Sequence, residues 1–144
     1  MKAWMDNQRG TAAIEFAIVL PLLMVFIFGI IEFGLVFYDK AMVTNASREA
    51  ARAGIVYRDP PLTVAEMQSV VDSYCGGRLI SFGGGPSPTT TVPSGECTNH
   101  GDELVVNVAY QYEFLLLPDF LTAFFTGGMP GSIDISAETR MRCE

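Results

Sequence analysis

The sequence predicts an α+β chain in which one long N-terminal helix, half in a membrane and half outside it, packs on a small antiparallel sheet. Three features carry this: an apolar run near the start, an unbroken helix-forming continuation, and two alternating segments near the end. From Phe16 to Ile31 there is no charged residue, and the run resumes after Glu32 as Phe33-Gly34-Leu35-Val36-Phe37-Tyr38. Together these make roughly 22 apolar residues around one acid, and a bilayer-crossing helix needs about 20. From Lys40 to Val56 the chain is rich in Ala, Arg and Glu, and no proline follows Pro21 until Pro60. The membrane helix is therefore expected to continue to about Tyr57. The expected organisation is a leader at 1–10, a span at 11–38, and an exported domain of about 100 residues at 39–144, too small a core to be robust without a staple or partner.

Within that domain, Pro60-Pro61 ends the first helix. Thr63-Val64-Ala65-Glu66 reads as a capping box, and Val64, Met67, Val70 and Val71 continue as an apolar stripe, predicting a second helix over 63–75. Residues 76–102, rich in Gly, Pro, Ser and Thr, read as an exposed loop with a short strand near Leu79–Phe82. Strands are expected at about 103–115 and 132–142, where apolar and polar residues alternate. In the first, Val106, Val108, Tyr110, Tyr112 and Phe114 share a face; in the second, Ile133, Ile135, Ala137, Thr139 and Met141 do. Between them, Pro118 to Phe125 predicts a short apolar helix or turn, with Phe120, Leu121, Phe124 and Phe125 expected to pack on the domain, the alternatives being contact with the membrane or a partner.

The N-terminus does not read as a cleaved secretory signal. Such a signal has an apolar core of about 7–15 residues followed by small residues at the cut; here the longer run passes through Phe37-Tyr38 into Asp39-Lys40-Ala41-Met42. The segment is expected to stay in the mature protein. Just before it stands Gln8-Arg9-Gly10-Thr11-Ala12-Ala13-Ile14-Glu15-Phe16, and further on come Phe28-Gly29-Ile30-Ile31-Glu32-Phe33-Gly34 and Asn45-Ala46-Ser47-Arg48-Glu49-Ala50-Ala51-Arg52-Ala53. The first string resembles the class III signal of type IV pilins, with a short basic head, a glycine before the cut and a glutamate as fifth residue after it. The three strings together are similar to the TadE-like family of the tight-adherence (Flp) pilus system. The match is close over about the first 55 residues and loose beyond.

The resemblance implies a pilin-like fold and cleavage between Gly10 and Thr11 by a prepilin peptidase. It implies an accessory pilin or pseudopilin of Tad/Flp pilus biogenesis, serving adhesion and surface colonisation. Partners would be the peptidase, the major Flp pilin, other Tad components and the membrane. The chain would sit in the bacterial inner membrane, or in the pilus, with its C-terminal domain periplasmic or extracellular. The alternative is an uncleaved single-pass protein whose exported domain scaffolds a complex or binds a ligand in an envelope secretion machine.

Physical chemistry gives Glu15 a task within that picture. A carboxylate at the edge of the hydrocarbon costs a few kcal/mol unless paired. Cleavage at Gly10 would create an α-amino group on Thr11, about 6 Å of helical rise from Glu15. Phe16 belongs to the same processing string. Glu32 has two open readings, snorkelling to the outer interface or contact with another subunit. Pro21 removes a helical donor and is expected to kink or loosen the span near Ala17.

Cys75, Cys97 and Cys143 allow three pairings, and the expectation taken is Cys75–Cys97, which would restrain the long loop and leave Cys143 spare. The net charge of −7, with nine Lys and Arg and no basic run, argues against nucleic acid. The lone His100, in a Gly-flanked loop, reads as an exposed turn residue. No catalytic motif, metal-ligand spacing, cofactor fingerprint or small-molecule site stands out, so the chain is expected to act by assembly and not as an enzyme.

Overall fold

A computed structural model describes residues 2–80, 87–115 and 131–144, with side chains from Gly10 onward. Helix α1 runs Lys2–Gly54 and contains Pro21. Helix α2 spans Val64–Cys75. Three strands follow, β1 at Thr89–Thr91, β2 at Glu103–Glu113 and β3 at Ser132–Arg142. They form one antiparallel sheet in the order β1-β2-β3, and α1 packs on β2 and β3. The expected α+β, pilin-like layout is the observed one.

Residues 11–31 of α1 are exposed or half-exposed on every side, with Ile18 and Ile30 among the most open. From Glu32 onward a stripe turns inward: Glu32, Asp39, Val43, Ala46, Ala50 and Gly54 are all buried. Spacings of 7, 4, 3, 4 and 4 place them on one helical face. Small residues there let α1 approach its neighbours closely. An added Cβ at Gly54 would stand 2.7 Å from Leu104 of β2 and 2.9 Å from Met67 of α2. The helix ends at Gly54, three residues short of the expected Tyr57, where it is wedged between those two elements.

The capping box at the start of α2 is formed. The Glu66 amide donates to Thr63 Oγ1, and the Thr63 amide donates to the Glu66 carboxylate at 2.9 Å. Met67, Val71 and Cys75 of α2 are buried against Val43, Ala46 and Ala50 of α1, together with Leu104, Val106, Val108, Tyr110 and Tyr112 of β2 and Ile135 and Ala137 of β3. The alternation of β2 and β3 therefore set the inward face correctly.

Two expectations about the loop are corrected or fall outside the described residues. Leu79 and Ile80 are not in a strand, and residues 81–86 are outside. The extra strand is instead β1, whose β-branched threonines pair with β2 at Thr89↔Ala109 and Thr91↔Asn107. The expected apolar helix or turn at Pro118–Phe125, with Phe120, Leu121, Phe124 and Phe125, lies outside the described residues.

The expected Cys75–Cys97 bridge is not formed. Cys97 is bonded to Cys143 across a separation of 46 residues, and Cys75 is a buried free thiol. Cys75 follows Met67 and Val71 at intervals of four, so the helix turns it into the core. Around the bridge, the Cys143 amide donates to the Asp102 carbonyl and the Glu144 amide to the Ile55 carbonyl. These bonds tie the C-terminal end to the far end of α1.

Candidate processing and anchoring site

The expected processing residues lie on an unbroken stretch of α1. Gly10, Thr11, Glu15 and Phe16 are all exposed, and α1 passes through Gly10–Thr11 without interruption. Nothing lies within 4 Å of where a Gly10 Cβ would be, so a side chain there meets no steric obstacle within the chain. Glu15 stands four residues beyond Thr11, on the same side of the helix within about 40°. Pro21 is half-buried, inside the helix as expected.

The lipid-compatible surface begins at the same point. The helix from Gly10 contains a window apolar enough to cross a membrane, and none of that window is buried inside the protein. Ile14, Phe16, Ile18, Val19, Leu22, Phe26 and Ile30 point into open space in succession around the helix. In water that surface would cost tens of kcal/mol at about 25 cal/mol per Å², whereas hydrocarbon accepts it. By length and composition the helix fits a single-pass membrane anchor.

Glu32 closes the anchor at its other end. Neither expected reading accounts for its surroundings. Its side chain is buried, and Oε1 accepts from the Tyr112 hydroxyl at 3.1 Å and from the Leu115 amide at 2.6 Å. The carboxylate therefore fastens α1 to the end of β2 within the chain. Burial, then the nearby Glu32 charge, pushes the Tyr112 phenol above its ordinary range, so it remains a donor to Glu32. Tyr112 also meets Phe114 edge to face, with ring centroids 5.5 Å apart. The Phe114 amide donates to the Gly131 carbonyl, drawing the start of β3 to the same level.

Two residues that sequence reasoning left unassigned reinforce this fastening. Asp39, two turns above Glu32 on the same face, is fully buried and accepts from the Ile80 amide at 3.0 Å. Lys40 donates from Nζ to the Ser136 carbonyl of β3. The available signal was the seven-residue spacing of Glu32 and Asp39, in phase with Val43, Ala46 and Ala50. Higher up, Ser47 is buried and shares a 2.8 Å hydrogen bond with Thr139 of β3. Its neighbours Asn45, Arg48, Glu49 and Arg52 face outward, leaving the charged part of that string for solvent or a partner.

His100 is an exposed turn residue. Among the described residues, no group of three or more His, Cys, Asp or Glu is placed to hold a metal ion. Together the site residues make an exposed Gly10–Thr11 junction, an apolar rod open on every side, and a polar clasp joining rod to domain.

Comparison with known proteins gives a match over most of α1, both its open half and the half packed on the domain. Residues 10–52 match the family described as TadE-like protein. The match begins at the expected cleavage glycine and ends two residues before the end of α1. No curated protein and no solved structure matches the chain.

Proposed function

Starting from a TadE-like match that spans residues 10–52 of α1, we propose that this chain is an accessory pilin or pseudopilin in the biogenesis of Tad/Flp-type pili. The observation that carries it is where the match begins. The TadE-like match opens at Gly10, where exposed, uncrowded backbone meets the first residues of a lipid-facing helix. In this reading a prepilin peptidase cuts between Gly10 and Thr11 and leaves the anchor intact. Glu15 then pairs with a Thr11 α-amino group, on its own chain or on a neighbour, which offsets the cost of placing a carboxylate at the hydrocarbon edge. The domain is held outside the inner membrane, and the chain acts through contacts with the major pilin and other Tad components, without catalysis.

N-terminal sequencing and intact mass of membrane-extracted protein test the cut directly. The expected mature chain begins at Thr11; one retaining Met1 would overturn the reading in favour of an uncleaved scaffold. Gly10→Leu is expected to abolish processing while the domain stays folded, because space is open at that position. Glu15→Ala is expected to be processed normally and to lose most piliation. Normal pili in that variant would remove the pairing role.

A further inference from the structure

Thr11 to Ile31 rises about 31 Å along α1, the thickness of a bilayer's hydrocarbon layer. The first buried position after that stretch is Glu32, and its partners are already in the domain. No exposed stalk of helix separates rod from domain, so the end of the sheet nearest Glu32 is drawn down to the membrane surface. Leu115 lies at that level because its amide bonds Glu32. Ile133 lies close to it because it pairs with Tyr112 in the sheet.

The large apolar side chains left open on the domain divide sharply by position. Phe33, Phe37 and Tyr38 on α1, Leu115 after β2 and Ile133 on β3 are between 41% and 71% exposed, all at the Glu32 end. Val56 and Tyr57, just beyond the far end of α1, are the other exposed large hydrophobics among the described residues of the domain. Tyr38 has the apolar body and polar tip that suit the headgroup layer, and the wholly apolar side chains beside it suit that layer's boundary with the hydrocarbon. The charges nearby do not suit an anionic surface, since Asp134 is exposed and Lys40 is engaged with Ser136.

We infer that Phe33, Phe37, Tyr38, Leu115 and Ile133 form a collar that rests in the headgroup layer of the bilayer crossed by α1. A lipid surface is thus the domain's own contact, made through apolar burial and not through basic residues. The collar rests on the anchoring reading of residues 11–31 and fixes the domain's height and tilt above the membrane.

The full chain in phosphatidylcholine vesicles provides the test, with an environment-sensitive fluorophore on one introduced thiol at a time. Native thiols do not compete, since Cys75 is buried and Cys97 is bonded to Cys143. Labels at Leu115→Cys and Ile133→Cys are expected to be quenched by lipids brominated near the headgroup. Aqueous iodide should quench them several-fold less than a label at Tyr57→Cys. A Phe26→Cys label, expected deep in the bilayer, reports on the anchor itself. Deep placement at 26 with water-like behaviour at 115 and 133 overturns the collar alone; water-like behaviour at all three overturns the anchor as well. Protection at 115 and 133 that vanishes as the protein is diluted in lipid identifies a second copy as the cover, and also overturns the collar.

Discussion

Residues 11–31 and residues 32–54 belong to one helix, yet they put opposite kinds of side chain on opposite kinds of surface. In the lower half the large side chains face outward, Ile18 at 71% exposure and Ile30 at 74%. In the upper half one face is buried, with Val43, Ala46, Ala50 and Ala51 at zero exposure, while Arg48, Glu49 and Arg52 face solvent. A soluble amphipathic helix keeps its large apolar residues inside. The inversion below Glu32 fits a helix surrounded by lipid, and the outward apolar side chains continue only as far as Phe33, Phe37 and Tyr38 before charged ones take over. The difference teaches that anchor and domain are energetically separate: one is stabilised by lipid, the other by contacts with α2 and the sheet.

If that separation holds, the most damaging change to the domain should leave the anchor untouched. The bridge between Cys97 and Cys143 closes a loop spanning 46 positions, worth about 4 kcal/mol in the chain-entropy account. The double variant Cys97→Ser/Cys143→Ser is expected to lose about that much in denaturant unfolding in mild detergent. Cys75 supplies the readout. Its thiol is buried, and burial followed by the charges of Asp72 and Asp39 pushes it above its ordinary range. It should resist alkylation until the domain opens, and become reactive earlier in the variant. Amide exchange is expected to quicken around Val43–Ala51 and to stay slow across Ile18–Ile30. Parallel loosening of both stretches would break the comparison.

A smaller effect is expected where the two halves meet. Glu32→Ala strips the acceptor from the Tyr112 hydroxyl and the Leu115 amide, and leaving buried donors unpaired costs about 1–3 kcal/mol. Glu32→Gln keeps an acceptor oxygen and should recover most of that loss. Glu15→Ala, on the exposed half of the same helix, should leave domain stability unchanged. Denaturant midpoints of the three variants, measured by Cys75 alkylation, check the ranking. Equal loss in the Ala and Gln variants would show that Glu32 does not act as a hydrogen-bond acceptor.

Local signals reached much of this organisation and failed where the determinant was remote. The apolar run, the capping box of α2 and the alternation of β2 and β3 are each written within a few residues, and each formed. The role of Glu32 depends on Tyr112 and Leu115, more than 80 positions away in the latter case, so no local pattern could supply it. The disulfide failed because loop restraint was weighed without the period of α2. Met67, Val71 and Cys75 recur every four residues, which commits Cys75 to the core. Strand β1 failed because its three threonines lack apolar alternation, and only the free edge of β2 makes them a strand. At the candidate site, the Gly10–Glu15 spacing can be read because it is linear along the chain; the clasp cannot, because it is made by folding.

The smallest expected effect lies in α2, which covers the upper half of α1 and never touches the lower. The Glu66 carboxyl is held below its ordinary value of 4.5, first by the Thr63 amide and then by the Thr63 hydroxyl. A lowered carboxyl stabilises the fold fully above its unfolded value and loses that contribution as pH falls through the folded one. Amide exchange at Met67 and Gln68, after correction for intrinsic rates, should therefore show weakening protection as pH drops from about 6 to about 3. Thr63→Ala, which removes the cap at a cost of about 1 kcal/mol, should also flatten that acid dependence, since the Thr63 hydroxyl, one of the groups favouring the ionised carboxyl, is gone. Residues 16–31 carry no ionisable side chain, so after the same correction their protection should not change with pH over this range. A pH response shared by both stretches would mean that the strain of opening α2 travels down α1 past Glu32, and the clasp would then be a coupling and not a boundary.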